Sequence, residues 1–125
     1  MTPIELNITG TVVSLKNSRR LVRKARTGKP FSIKSADAER YVRDFVAQIP
    51  AKYRGLKLGN QEHPLCVSVV VYYPSFRQDL SLDLVYDSLQ LVGVIENDRW
   101  IRRKIEEAKI DKSNPRVEIT ITEES

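Results

Sequence analysis

The stretch Leu65-Cys66-Val67-Ser68-Val69-Val70-Val71-Tyr72-Tyr73 decides the fold, together with Pro74-Ser75-Phe76-Arg77 and Gln78-Asp79-Leu80-Ser81-Leu82-Asp83-Leu84-Val85-Tyr86-Asp87-Ser88-Leu89-Gln90. The first part is dense in β-branched and aromatic residues and reads as a strand. Pro74 breaks it. In the last part Leu82, Val85, Tyr86 and Leu89 recur at the spacing of one helix flank, so Gln78–Gln90 reads as an amphipathic helix. Asp79, Asp83 and Asp87 fall at i, i+4 and i+8 on another strip. Carboxylates so placed repel one another by a few tenths of a kcal/mol per pair. A solvated face tolerates that, and a bound cation would relieve it.

Downstream, Trp100–Ile110 alternates and reads as a strand, with a short helix as the alternative, and Asp111–Pro115 is a turn. Arg116–Thr122 puts Val117, Ile119 and Ile121 inward and Glu118, Thr120 and Thr122 outward, a half-exposed strand expected to close the sheet. Upstream, residues 51–64 read as a loop. Ser35 is a suitable helix N-cap with Asp37 and Glu39 behind it, where the helix dipole favours acids. That helix runs through Tyr41, Val42, Phe45, Val46 and Ile49 on one face and ends at Pro50. Ile4–Leu15 is the first strand, bent at Gly10. Lys16-Asn17-Ser18-Arg19-Arg20 is a basic turn, and Leu21–Lys34 a hairpin with Thr27-Gly28-Lys29-Pro30 at its tip. The reading is one domain over residues 1–125, an α+β fold with a mixed β-sheet and two helices on one face.

The 125 residues can bury a core without metal or disulfide staples. Cys66 is the single cysteine, which excludes an internal disulfide; in its apolar run it reads as a buried, inert thiol. No signal peptide is expected, and no apolar run reaches membrane-spanning length, so a soluble intracellular protein is expected. The net charge of +5 is unevenly spread: residues 16–57 hold 13 Lys or Arg against Asp37, Glu39 and Asp44, whereas residues 58–125 hold eight against 12 acids. A basic half joined to an acidic one fits a polyanion partner with an acid-lined site beside it. It also fits a basic domain with no such role.

Mg²⁺ needs only one to three protein carboxylates, the rest of its shell being water and phosphate. Asp79 ahead of the helix and Asp98 beyond Gly93 could converge on one ion, whereas Asp87 lies about 12 Å along the helix from Asp79. Helix capping by Asp79 and a turn position for Asp98 explain the same residues without a metal. Lys16, Arg19, Arg20, Arg23, Lys24 and Lys34 suit phosphates or a solvated loop equally. His63, beside Pro64, reads as a surface residue. No serine has a histidine at useful spacing, and neither a Gly-rich phosphate loop nor a zinc pattern occurs.

Ser14-Leu15-Lys16-Asn17-Ser18-Arg19-Arg20 after a first strand resembles the basic turn of the RusA-type Holliday junction resolvases. Arg77-Gln78-Asp79-Leu80-Ser81, Asp87-Ser88-Leu89-Gln90, Gly93-Val94-Ile95 and Asn97-Asp98 look like their catalytic segment, and Asn114–Ile121 is similar to their closing strand. The resemblance implies a homodimeric, Mg²⁺-dependent endonuclease (Mn²⁺ substituting) that cuts branched DNA, above all four-way junctions. It also implies a cytoplasmic location and a prokaryotic or phage-like source. The family's metal site pairs two aspartates, Asp-x-Asp, with a third after the helix. Asp98 matches the third and Asp79 one of the pair. The other pair position is Ser81 in one alignment and Arg77 in the second, which also puts Asp83 where many members carry a lysine. Asp83, one turn along, is the candidate for the lost ligand. By the same resemblance Lys16, Asn17, Arg19, Arg20, Arg23, Lys24, Lys34 and Arg77 would contact DNA, and Ser81 and Asp87 would support the site. Loss of one carboxylate makes an inactive junction-binding protein the alternative.

Overall fold

The structure, a computed structural model, describes residues 2–13, 19–23, 30–34, 36–76 and 80–124, with 19–23 and 30–34 described by backbone alone. The chain runs β1 (Ile4–Thr9), β2 (Arg19–Arg23), β3 (Pro30–Lys34), α1 (Ala36–Ala47), β4 (Leu65–Tyr73), α2 (Asp83–Leu91), β5 (Ile101–Ile110) and β6 (Arg116–Glu123). Short 3₁₀ turns occupy Ala51–Tyr53 and Asp98–Trp100. Four strands form one sheet in the order β1-β6-β4-β5, and β2 pairs with β3 in a separate hairpin. β4 and β5 are parallel, which a chain can achieve only through a crossover, here α2. The β1–β6 and β4–β6 pairs are antiparallel, so the sheet is mixed.

Alternation decides which face is buried. Val67, Val69 and Val71 of β4, Val117, Ile119 and Ile121 of β6, and Ile4, Leu6 and Ile8 of β1 share one core. Phe45 of α1 and Leu84, Val85 and Leu89 of α2 complete it, so both helices cover the same face. The expected α+β architecture is present. Ser88 is the one polar residue buried among the described residues, and its hydroxyl donates to the Leu84 carbonyl at 2.6 Å. At the end of α1 the Arg54 guanidinium donates to the carbonyls of Val46 (2.6 Å) and Ile49 (3.0 Å). No helix among the described residues is long and apolar enough to cross a membrane.

Several boundaries differ from the sequence reading. β1 stops at Thr9, because Gly10 takes φ +112° and turns the chain away. Arg19 and Arg20 lie in β2, paired with Lys34 and Ile33, instead of in a turn. The expected hairpin tip, all but Pro30, and the Ser35 cap fall outside the described residues. β6 does not close the sheet at an edge. It lies inside, bonded to β1 and β4, which a strand with only one open face permits. Cys66 is half-exposed, because its odd-numbered neighbours take the core face. The acidic helix begins at Asp83, five residues later than its polar pattern suggested. Leu82 is drawn into the core, and the Ser81 hydroxyl bonds the Asp83 carboxylate (3.3 Å), a local alternative to another helical turn.

Candidate metal and phosphate site

The segment joining α2 to β5 carries Asp98, and its backbone is held from several directions. Gly93, at φ +80°, ends the helix: its N–H donates to the Gln90 carbonyl (3.1 Å) and that of Val94 to the Leu89 carbonyl (3.0 Å). This is the paired-bond stop that favours glycine at the left-handed position. The loop after the first 3₁₀ turn then runs alongside. Lys57 N–H donates to the Gly93 carbonyl (2.7 Å), Leu58 N–H to that of Val94 (3.0 Å), and Glu96 N–H to that of Leu58 (2.8 Å). What read as an open loop is thus partly a strap, with a parallel bridge between Leu58 and Ile95. A Cβ on Gly93 would stand 3.1 Å from the Gly55 Cα, so the strap and the helix end require each other.

Beyond the strap, Asn97 caps the second 3₁₀ turn, its side chain accepting from Arg99 N–H at 3.0 Å. Asp98 N–H donates to Gln90 Oε1 at 3.1 Å, which anchors the turn to α2 and leaves the Asp98 carboxylate exposed. Next to it, Arg99 and Arg102 line a cavity of about 210 Å³ with Trp100, Asn60, Gln61 and Pro64. The Trp100 indole N–H donates to Glu96 Oε2 (2.5 Å), and the Arg99 guanidinium stacks over its ring at 4.6 Å. An exposed carboxylate with arginines one and four positions further along offers oxygens to a hydrated cation and guanidinium groups to phosphate oxygens. The sequence reading did not single out Arg99, Trp100 or Arg102. The signal was there, since a basic and aromatic run directly follows Asp98.

The candidate acids are not gathered at one point. Asp83 and Asp87 lie on the exposed strip of α2 whose next turn holds Gln90. At ~1.5 Å rise per residue, Gln90 stands ~4.5 Å along the axis from Asp87 and ~10.5 Å from Asp83. Asp87, read from sequence as a supporting residue, is thus the acid of α2 nearer the point where Asp98 docks. It shares a surface cavity of about 460 Å³ with Val42, Gln90 and Leu91. Asp98 also lies where β5 begins, at the Leu65 end of β4, whereas the exposed Phe76 lines a surface cavity with Tyr73 and Ile110 at the other end. Those ends are roughly 26 Å apart over eight strand steps.

Among the described residues no three His, Cys, Asp or Glu side chains group closely enough to hold a metal. Asp79 and Arg77 lie outside the described residues, as do Lys16, Asn17 and Lys24, and so do the side chains of Arg19, Arg20, Arg23 and Lys34. His63 is exposed, as expected, 3.8 Å from Glu123. No protein-family model and no curated protein sequence matches this chain.

Proposed function

We propose that the chain is a Mg²⁺-dependent endonuclease that resolves four-way junctions or other branched DNA by hydrolysing phosphodiester bonds, working as a homodimer. The observation that carries the reading is Asp98, its backbone anchored on Gln90 and its carboxylate exposed, directly before the Arg99 and Arg102 that line a cavity. The resemblance to RusA-type resolvases and the basic balance of residues 16–57 support it. Mg²⁺ held by Asp98, with water and substrate phosphate filling the rest of its shell, would activate a water and stabilise charge at the scissile phosphate. Arg99 and Arg102 would hold the phosphate and Lys16, Arg19 and Arg20 the flanking backbone. The test is nicking of a synthetic four-way junction in Mg²⁺ or Mn²⁺. Asp98→Asn should lower cleavage at least about 100-fold while junction binding and the circular dichroism spectrum stay as in wild type.

A second reading is a junction-binding protein without activity. It is favoured by the ungrouped acids of the described residues and by Ser81 and Arg77 at pair positions. Tight binding with no cleavage by wild type in either metal would select it over the nuclease.

A further inference from the structure

β5 is the edge of the sheet. It pairs with β4 along one side, and among the described residues no strand lies on the other. It is ten residues long, and every residue from Arg102 to Ile110 is exposed. Ile105 is 42% and Ile110 56% exposed, apolar surface on a strand that presents a free row of N–H and C=O groups. Charge is the usual protection for such an edge, and a run of lysines alone would repel every copy of itself. The charges here are ordered differently: Arg102-Arg103-Lys104, then Ile105, then Glu106-Glu107.

We infer that β5 pairs antiparallel with β5 of a second copy of this chain, in a register centred on Ile105. Two identical strands side by side pair about a two-fold axis normal to the sheet. Because neighbouring residues point to opposite faces, that axis must pass where one residue meets its own copy. With Ile105 there, Lys104 faces Glu106 and Arg103 faces Glu107, up to the irregularity at Arg102, where the β4–β5 ladder skips a residue. Each pairing occurs twice, and no like charges meet. Centring on Lys104, Glu106 or Glu107 sets a charged residue against itself, and centring on Arg103 adds Arg102 against Lys104. Centring on Ala108 pairs only five residues. Opposite-charge cross-strand pairs stabilise a ladder and like pairs oppose it, so the edge favours one register and disfavours its neighbours.

The side chains can meet this geometry. Lys104 and Glu106 are held on the helix face by Tyr86: its hydroxyl donates to Glu106 Oε2 at 2.5 Å, and the Lys104 ammonium stands 4.3 Å from its ring centre. Arg103, Ile105 and Glu107 share the opposite face with Cys66, Ser68 and Val70 of β4. The result is one continuous sheet of eight strands with all four helices on the same side. Antiparallel pairing also sets the Asp98 end of each β5 beside the Ile110 end of the other. The inference supplies the interface for the proposed homodimer and does not rest on nuclease activity.

The test uses the full chain without DNA or added metal, by sedimentation velocity. Wild type should sediment at twice the 14.3 kDa chain mass. Arg103→Glu and Glu107→Arg each set like charges opposite one another twice, and each alone should weaken dimerisation at least about tenfold. Mixed in equal amounts, the two variants restore opposite pairs and should form a heterodimer as readily as wild type dimerises. A wild type that stays monomeric to about 100 μM overturns the inference. So do single variants that dimerise like wild type, or a mixture that stays as weak as its components. A monomer that still cuts junctions would overturn this interface and leave the nuclease standing; a dimer inert towards DNA would do the reverse.

Discussion

Tyr41 is buried in the core with its hydroxyl unpaired among the described residues. Burial, and then the neighbouring Tyr73, raise its pKa far above the ordinary 10.0, so the phenol stays neutral. A buried donor without a partner costs about 1–3 kcal/mol. Tyr41→Phe should therefore stabilise the fold by about 1 kcal/mol, read as a thermal midpoint about 3–5 °C higher. Asp111 behaves oppositely. It accepts Arg116 Nη1 at 2.8 Å and, through its other oxygen, the Ser113 hydroxyl and the amides of Ser113 and Asn114. Its carboxyl is held below the ordinary value of 3.8, with the Arg116 hydrogen bond the largest cause. A depressed carboxyl stabilises the fold above its unfolded pKa, and that contribution fades as pH falls through the folded one. Asp111→Asn should lower the urea midpoint at neutral pH, and the gap from wild type should shrink in acid.

At the scale of elements, the strap from Gly55 to Leu58 shows how a weakly patterned loop becomes structure. Nothing periodic marks residues 51–64, and their order comes from hydrogen bonds to the carbonyls of residues 92–94. Gly93→Ala would force a Cβ into the left-handed region and against Gly55. It should cost about 2 kcal/mol in a urea titration and loosen the turn that presents Asp98. The strands and helices with strong periods, β4, β6 and the core face of α1, were legible because burial repeats along them. The start of α2 was not. The periodic pattern runs on through Asp79, but a local bond from the Ser81 hydroxyl to the Asp83 carboxylate replaces a further helical turn, which spacing alone does not reveal. Asp98 was legible as an exposed turn acid; its anchor on Gln90 and its neighbours Arg99 and Arg102 depend on a crossover that no local spacing encodes.

For the whole molecule the charge distribution governs affinity. The chain carries +5 overall, with the excess in residues 16–57. Each phosphate neutralised releases counterions, so binding to a junction should fall linearly in log–log form with salt, by about 0.9 per contact. Replacing Lys16, Arg19 or Arg20 by Ala should flatten that slope by about 1 each, measured by fluorescence anisotropy at several salt concentrations. Replacing Asp98 by Asn should leave the slope unchanged and alter cleavage alone.

The insertion of β6 between β1 and β4 sets a timetable for folding. β1 comes from the start of the chain and finds its partner in residues 116–121, while β4 needs the same strand on its other flank. A nascent chain that has not yet delivered Arg116 can pair β4 with β5 and dock Gln48 of the α1 end on Thr9, but it leaves β1 with no strand partner in the sheet. Such long-range closure makes folding slow relative to helical domains of this size. During synthesis the first strand must therefore wait, its backbone edge unpaired, for the sixth. Ribosome-bound chains halted before and after residues 116–123 should differ sharply in protease resistance at β1.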